Sequence, residues 1–451
     1  MKLCPHAPLA RTVLAVSIAL AASSASAQTA TPADLAQRLD QLTAELASIK
    51  AQLAQMKQVQ VQQAQNATAG AQVAAGSSGA TPPAPDSAAV AGTGTAPYGG
   101  SLFGAGTVLT SYGELNYHRP TRRTENAQAD LRRFVLGYQH RFDDKTKVVA
   151  ELEVEHAVSS ASDRGEVAIE QAYVERQLTP ALALRAGLFL MPVGLLNENH
   201  EPTAFYGVER NFVETAIIPS TWREGGVQLV GNFDNGVTLQ AGVTTGFDLN
   251  KWDAASAEGK ASPLGSIHQE LALAKARDLA LFAALNWRGI PGLLVGGSMF
   301  SGLATHAQAV ADARVTLWDL HARWTPGRWD FSTLYSRGVI SNTAALNAAL
   351  VGNPTLIPNS FDGFYTQAAY KLWSREDVVL SPFVRWEHFN TAKAYDDLGA
   401  GLTPDAGRAE QVVTVGANLR FAQGVVLKAD YQRFRTNADL NRVNLGLGWS
   451  F

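Results

Sequence analysis

The sequence is nearly free of cysteine and contains no long apolar run. Cys4 is the single cysteine in 451 residues, and it precedes the short apolar segment 12–22. An exported chain that has lost its first residues would therefore fold without a disulfide. No stretch reaches about 18 consecutive apolar residues, the length that a transmembrane helix requires. Basic residues number 37 against 40 acidic residues, which argues against a nucleic-acid-binding protein.

Common catalytic motifs are missing as well. Neither Gly-x-Ser-x-Gly nor His-Glu-x-x-His occurs, and the glycines of 99–106 lack the preceding strand and following helix of a phosphate-binding loop. The nine histidines are scattered, and His200, beside Glu198 and Glu201, indicates a polar loop rather than a metal site. We therefore expect no enzyme, no cofactor and no metal. A lipid hydrolase embedded in the membrane is the alternative, which an assay of lipid hydrolysis would detect.

Residues 1–27 have the features of a secretory signal peptide. Lys2 and Arg11 give a basic start, 12–22 is apolar, and Ala25-Ser26-Ala27 fits a cleavage site. Removal of this segment would lower the basic count from 37 to 35 against 40 acids, a formal charge of −5. The sequence therefore predicts an exported, mildly acidic protein.

Residues 28–60 are predicted to form a coiled-coil helix. Thr31 and Pro32 fit the cap and first position of a helix. Apolar residues then follow at alternating spacings of four and three, a heptad seam that weakly favours three or more helices. The seam consists of Leu35, Leu39, Leu42, Leu46, Ile49, Leu53 and Met56. The alternative is a single amphipathic helix packed on a domain.

Residues 61–100 are rich in Ala, Gly, Ser, Thr, Pro and Gln, a composition that predicts a flexible linker. Such a linker reaches on the order of 35 Å, and the helix before it adds roughly 37 Å. Together they could cross a good part of a periplasm. We place the coiled coil there, where it would assist trimerisation or contact peptidoglycan.

From about residue 107 onward, apolar residues alternate with polar residues or glycine, the pattern of strands with one apolar face. Clear examples are 133–142, 147–155, 182–190, 413–421 and 443–451. The connections decide between a soluble sandwich and a membrane barrel, because tight turns alternate strictly with longer polar connections. The turns are 143–145, 179–180, 235–236, 289–291, 325–327, 374–376 and 422–424. The longer connections are 119–130, 158–165, 192–222, 247–277, 303–312, 339–362, 390–409 and 436–440.

That asymmetry is typical of an outer-membrane barrel with short periplasmic turns and longer outer loops. We predict that 101–451 is all-β, a transmembrane antiparallel β-barrel of about 16 strands with both ends in the periplasm. A closed barrel pairs every strand edge, as lipid demands, and this size leaves an aqueous channel. Tryptophans close to turns and loops fit an aromatic girdle rather than an ordinary core. They are Trp287, Trp324, Trp329, Trp373, Trp386 and Trp449.

The connection 192–222 is unusually long and mixes large apolar residues with charges, which indicates a functional loop. We expect it to fold into the lumen and narrow it, so that its charges set ion preference. The predicted constriction residues are His200, Glu201, Glu209, Arg210, Glu214 and Arg223. In the alternative, ion pairs Glu209–Arg210 and Arg223–Glu224 only pin the loop to the wall.

The sequence around this loop resembles the phosphate-selective porins of the O and P type. The resemblance covers roughly 105–451. Its motifs are ELEVEHA at 151–157, EQAYVE at 170–175, the segment 187–194, Glu209-Arg210, IPSTW at 218–222, PFVRWE at 382–387 and LKADY at 427–431. It implies a homotrimer of sixteen-stranded barrels, each narrowed by an infolded third outer loop. It also implies that Phe451 is the terminal aromatic residue read by the outer-membrane assembly machinery.

Phosphate-selective members line the pore with an arginine ladder and a lysine cluster, and this chain departs from that pattern. Basic residues expected to face inward are Arg133, Arg141, Lys147, Arg185, Arg323, Lys371, Arg385, Arg420 and Lys428. Equally many acids are expected to face them: Glu114, Glu151, Glu153, Glu155, Glu170, Asp319, Asp330, Glu387 and Asp430. The stripe 151–155 either attracts cations or balances the charge of Arg133, Arg141 and Arg185.

These observations favour an outer-membrane porin for passive diffusion of small hydrophilic solutes and ions, with anions such as phosphate among the candidates. Its expected partners are membrane lipid, two further copies of the chain and the assembly machinery. The alternative is a structural anchor or cell-wall tether, in which the coiled coil binds peptidoglycan and the barrel mainly holds the protein in the membrane.

Overall fold

The computed structural model describes residues 106–160, 162–163 and 165–451. The predictions of a signal peptide at 1–27, a coiled coil at 28–60 and a linker at 61–100 lie outside these residues. Within the described part of the chain, no helix is long and apolar enough to cross a lipid bilayer.

The predicted all-β barrel is confirmed. Each strand pairs antiparallel with the next along the chain, except that β12 and β13 both pair with β14. The last strand pairs with the first, from Tyr112 opposite Ser450 to Pro120 opposite Arg442. The strands are β1 (Thr107–Pro120), β2 (Gln128–Arg141), β3 (Thr146–Glu155), β4 (Glu166–Gln177), β5 (Leu182–Leu190), β6 (Arg223–Asn232), β7 (Val237–Thr244), β8 (Ala280–Trp287), β9 (Leu293–Leu303), β10 (Arg314–Trp324), β11 (Trp329–Ile340), β12 (Ser360–Tyr370), β13 (Trp373–Arg375), β14 (Val378–Ala394), β15 (Glu410–Ala422), β16 (Val425–Phe434) and β17 (Arg442–Ser450).

The barrel is sixteen-stranded, because the short β13 continues β12 and the two count as one strand that pairs with β14. Short and long connections alternate around the ring, as predicted. The short ones are 142–145, 178–181, 233–236, 288–292, 325–328, the interrupted segment around β13, and 423–424. The long ones are 121–127, 156–165, 191–222, 245–279, 304–313, 341–359, 395–409 and 435–441. We call the two rims the short-turn end and the long-loop end.

The strand alternation produces an apolar outer surface. On β2, Leu136 is 49% exposed whereas its neighbour Val135 is fully buried, and on β15 Val415 is 54% exposed whereas Thr414 is fully buried. Side chains of successive residues point to opposite faces of a strand, so the exposed apolar residues form the outer face. A bilayer requires such a face of a barrel.

The tryptophans expected to form a girdle differ in their positions along the strands. Five of these tryptophans lie at or next to strand ends: Trp287, Trp324, Trp329, Trp373 and Trp449. Trp386 lies instead in the middle of β14, opposite Thr366 and Val413, because that strand continues to Ala394. The loop expected to start near residue 390 therefore starts later.

The inside of the barrel is partly filled by two long connections. Segment 191–222, here called the infolded loop, contributes Val213, Ile217 and Trp222 to a buried apolar cluster with the inner faces of β8–β12. A π-helical turn at Val213–Ile217 carries the first two of these residues. Segment 245–279, here called the second loop, contributes Phe247, Leu249, Trp252, Leu264 and Ile267 to the same cluster. Short helical turns shape it at Leu249–Lys251, Glu258–Ala261 and Gly265–Ile267.

Candidate functional site

The two ends of the infolded loop are joined by one asparagine. Asn197 Nδ2 donates to the carbonyl oxygens of Met191 and Trp222 at 2.8 Å each, and Trp222 N donates to Asn197 Oδ1 at 2.7 Å. Met191 N also donates to Trp222 O at 2.9 Å. These bonds form a neck, so the loop leaves the wall and returns to it at one place.

A buried carboxylate organises the interior of the loop. Glu214 Oε1 accepts from Leu195 N at 2.6 Å and Leu196 N at 2.7 Å. Its Oε2 accepts from Asn211 Nδ2 at 2.7 Å and from Tyr365 OH, on β12, at 3.0 Å. Burial raises the pKa of Glu214 above its ordinary value, and these hydrogen bonds act to lower it. The predicted constriction residue Glu214 therefore binds the loop to itself and to the wall.

The loop crosses the lumen to the opposite wall. Val208 N donates to Asp430 Oδ2 on β16 at 2.6 Å, and Phe212 N donates to Glu387 Oε2 on β14 at 2.6 Å. Both wall carboxylates are buried. The segment thus folds into the lumen, where its backbone amides donate hydrogen bonds to acids on the far side of the barrel.

Glu209 and Arg210 are adjacent in sequence but contact different partners. Glu209 Oε1 lies 2.9 Å from His118 Nε2 on β1. Burial acts to raise the pKa of Glu209, but the hydrogen bond and charge of His118 lower it to about 2. Arg210 donates to Ser220 Oγ at 2.5 Å and Thr221 Oγ1 at 2.8 Å, and it has no ion pair among the described residues. The alternative pairing of Glu209 with Arg210 is not formed.

Arg223 and Glu224 likewise have separate partners. Arg223 Nη2 lies 2.9 Å from Glu270 Oε1, on the second loop. Glu224, on the next position of β6, accepts from Trp222 Nε1 at 3.0 Å and from Thr245 Oγ1 at 2.7 Å. The charged group of Arg223 is thus paired with an acid of the second loop. Its role at the pore constriction stays a prediction.

The remaining two constriction candidates differ in burial. His200 is 3% exposed, and its ring lies 5.5 Å from that of Tyr112 on β1. Glu201 is half-buried. The structure therefore brings His200 against the wall, whereas Glu201 remains partly accessible to water.

Basic residues of the inner wall are largely matched by carboxylates. Arg133 Nε lies 2.9 Å from Glu114 Oε1, and its Nη1 lies 3.0 Å from Glu153 Oε1. Glu155 is 3.9 Å from the same guanidinium. Glu153 and Glu155 of the stripe 151–155 thus balance the charge of Arg133. This agrees with the interpretation of the stripe as charge balance rather than as a site that attracts cations.

The same pairing recurs around the wall. Glu175 receives both Lys147 Nζ at 3.0 Å and Arg185 Nε at 2.7 Å. Arg385 Nε lies 2.7 Å from Glu387 Oε1, with both side chains buried. Lys147, Arg185 and Arg385 thus form ion pairs inside the barrel, and Glu175 is an inward acid that was not predicted from the sequence.

Four basic residues expected to face inward lack a carboxylate within ion-pair distance among the described residues. Lys371, directly after β12, is exposed. Arg141, near the short-turn end, is exposed. Arg420 is also exposed, and its Nη2 donates to Thr203 O of the infolded loop at 3.3 Å. Lys428 is buried, with its Nζ 3.6 Å from the centre of the Phe205 ring. Arg420 and Lys428 thus contact the infolded loop rather than acids of the wall.

The second loop was missed as a structural part of the site. Trp252 Nε1 donates to Thr355 O at 3.1 Å, and Thr391 Oγ1 donates to Lys260 O at 2.7 Å. These bonds connect 245–279 to the connection before β12 and to β14, across the long-loop end. A signal was present in the sequence, since Phe247, Trp252, Leu264 and Ile267 are large apolar residues in a predicted outer loop.

Comparisons with known proteins agree with the fold. No protein-family model matches this chain. An uncharacterized protein of Aquifex aeolicus (strain VF5) is 29% identical over 358 residues, which cover 77% of this chain and 80% of that protein. OmpF of Salmonella typhi, solved in complex with daunomycin, superposes with a TM-score of 0.53 at 13% identity, over 76% of this chain and 97% of OmpF.

Two further solved structures are less similar. The outer membrane channel DcaP of Acinetobacter baumannii gives a TM-score of 0.49 at 14% identity, over 77% of this chain and 98% of that one. An anion-selective porin from Comamonas acidovorans gives 0.49 at 10% identity, over 76% and 100%. At such identities the likeness to OmpF concerns the fold, which is that of a porin barrel.

Proposed function

We propose that this protein is an outer-membrane porin through which small hydrophilic solutes and ions diffuse passively. The observation that carries the proposal is a closed sixteen-stranded barrel with an apolar outer face, a charged inner face and a loop folded across the lumen. A barrel of this strand number encloses an aqueous channel. The apolar outer face matches a lipid environment, which supports the outer membrane as the location.

Ion preference depends on charges that remain in contact with water, since buried ion pairs largely cancel. Among the residues expected to line the pore, three exposed basic residues have no carboxylate partner among the described residues: Arg141, Lys371 and Arg420. Buried pairs such as Arg385–Glu387 add little net field. We therefore infer a weak preference for anions, without the arginine ladder that strong phosphate selectivity would require.

Assembly as a homotrimer follows from the resemblance of the sequence and remains part of this proposal, as does the role of Phe451. Phe451 N donates to Ser111 O at 2.9 Å, and Ser111 N donates to Phe451 O at 3.0 Å. The last residue thus pairs with β1 and helps to close the barrel. Recognition of the same residue by the assembly machinery would precede this pairing.

The decisive experiment is single-channel recording in a planar bilayer under a KCl gradient, with and without phosphate. We expect stepwise conductance with weak anion preference and no block by phosphate. Block by phosphate would restore the phosphate-selective function, and cation preference would refute the charge argument. The absence of enzyme activity stays a prediction, and lipid hydrolysis by the purified protein would contradict it.

A second function, that of a structural anchor, is favoured by one observation. Both the infolded loop and the second loop pack apolar side chains against β8–β12, which fills that side of the lumen. A folded barrel that never conducts would support the anchor. Deletion of 28–100 would then reduce binding to isolated peptidoglycan, whereas an unchanged trimer with unchanged wall association would remove the proposed role of the coiled coil.

A further inference from the structure

Three side chains capable of binding a metal converge where the infolded loop meets β3 and β4. They are Glu151 on β3, Glu170 on β4 and His200 on the loop, and their ligand atoms all lie within 4.8 Å of one another. His200 Nε2 is 3.7 Å from Glu170 Oε2. The acids of the wall and the imidazole come from segments far apart in sequence, so the loop completes the group.

A β-bulge aims Glu170 at this point. Glu151 pairs with Gln171 whereas the next residue, Leu152, pairs with Ile169, so Glu170 is an extra residue without a partner in the ladder. A bulge lets a strand turn an additional side chain to one face. Gln171 also faces inward, and its Nε2 holds Glu151 Oε2 at 2.6 Å. Two consecutive residues of β4 thus build the wall side of the group.

The Glu170 carboxylate is incompletely satisfied. Its side chain is fully buried, and Oε2 accepts from Tyr112 OH at 2.7 Å. Its Oε1 has no hydrogen-bond partner among the described residues. A buried carboxylate oxygen without a donor or a cation is energetically unfavourable, so this oxygen points to a ligand.

The contacts of His200 orient its second nitrogen toward the acids. Nδ1 lies 2.9 Å from Asn197 O, and a carbonyl oxygen can only accept, so Nδ1 carries the hydrogen. In the neutral imidazole the lone pair is then on Nε2, which lies 2.6 Å from Tyr112 OH and 3.7 Å from Glu170 Oε2. Tyr112 has one hydroxyl hydrogen, so it donates to Nε2 or to Oε2 but not to both, and a bound ion would take the place of the bond to Nε2. Histidines that bind metals commonly donate their other N–H to a backbone carbonyl in this way.

We propose that His200, Glu170 and Glu151 form a binding site for a divalent transition-metal ion, with Zn²⁺ as the best match. One imidazole and two carboxylates are ligands that Zn²⁺ accepts at about 2.0–2.2 Å, so the side chains need only small shifts to close around the ion. Glu151 is half-buried and leaves the site open toward the lumen. The ion would fasten the infolded loop to the wall, whatever solute passes the pore.

The test is a titration of metal-free, folded, full-length protein with Zn²⁺ in competition with a chromophoric chelator. We expect one Zn²⁺ per chain in the micromolar range or tighter. His200→Gln should weaken binding by about tenfold or more, since it removes the nitrogen ligand. The matched control is His321→Gln, because His321 is also buried and lies 2.5 Å from Asp319 but faces a single carboxylate.

Heat-modifiable migration on gels reports whether each variant forms the barrel. If His200→Gln does not fold, Glu151→Gln on the open side of the site takes its place and should also weaken binding. No Zn²⁺ bound by the folded wild-type protein would overturn the proposal, because a charged His200 paired with Glu170 would then explain the group. Equal binding by the wild-type protein and these variants would overturn it as well. The readout is binding rather than conduction, so a non-conducting barrel would affect only the proposed porin function.

Discussion

The carboxylate of Glu214 should control how readily the infolded loop detaches from the wall. Glu214→Ala removes the acceptor of two backbone amides, Leu195 and Leu196, at 2.6 and 2.7 Å. Hydrogen bonds to a charged group contribute roughly 1.5–3 kcal/mol each, so the two together give about 3–6 kcal/mol. Desolvation of the carboxylate, which raises its pKa, offsets part of this. We take the lower end, about 3 kcal/mol, for local opening.

Hydrogen–deuterium exchange measures this opening directly. A loss of about 3 kcal/mol corresponds to exchange about 100-fold faster in peptides from 191–222, with peptides from β2–β4 unchanged. Glu201→Ala is the matched control, since it removes a half-buried carboxylate from the same loop. Tyr365→Phe, which removes one bond from the wall side, should give a smaller increase. Unchanged exchange in Glu214→Ala would refute the assigned role of this carboxylate.

Three further predictions concern charges and caps. Glu209 has a pKa lowered to about 2 in the folded protein. Its contribution to the stability of the infolded loop should therefore be present above its ordinary pKa and lost as pH falls toward about 2. Glu209→Gln should abolish this part of the pH dependence of hydrogen–deuterium exchange in the loop. Asp396 accepts from Thr343 N at 3.0 Å, so Asp396→Ala should speed exchange at 343–347 by about tenfold, with unchanged exchange counting against a capping role. Replacement of Arg141 and Arg420 by Gln should shift the reversal potential toward cations, and replacement of the exposed Arg122 and Arg123 on a long loop is the charge-matched control.

The strand part of the fold was predictable because lipid and closure impose a simple rule. Alternation with period two identifies the outward face without knowledge of the partner strands, and the lengths of the connections identify the two ends. The ends of strands were predicted less well than their faces. β14 continues past the loop start expected near residue 390, so Trp386 lies in the middle of the strand, because strand ends and extended loops have similar sequence patterns. Closure by β17 on β1 also followed from the demand that no strand edge face lipid.

The interior could be predicted only in part, because it depends on contacts between segments far apart in sequence. Strand alternation placed Arg133 and Glu153 on the inner wall. Their ion pair could not be predicted, because it depends on the register between β2 and β3. The bulge at Glu170 shows the difficulty. Glu170 was expected to face inward, and strict alternation from it would turn Glu175 outward, but after the bulge Glu175 also faces inward and pairs with Lys147 and Arg185. The partners of Arg210 and Arg223 depend on how the loops fold, for which the sequence contains no periodic signal.

A list of charges on the inner wall does not determine ion preference, even when the list is correct. Nine basic and nine acidic residues were expected to face inward, a balance that departs from the arginine ladder of phosphate-selective porins. Among the acids of the inner wall, Asp430 and Glu387 accept backbone amides of the loop, and Glu175, which was not among the nine, is shared by two cations. Buried charges compensated in this way contribute less field to the water-filled space than exposed charges do. Because these acids are engaged by the loop or by cations, the proposed anion preference depends on the exposed Arg141, Lys371 and Arg420.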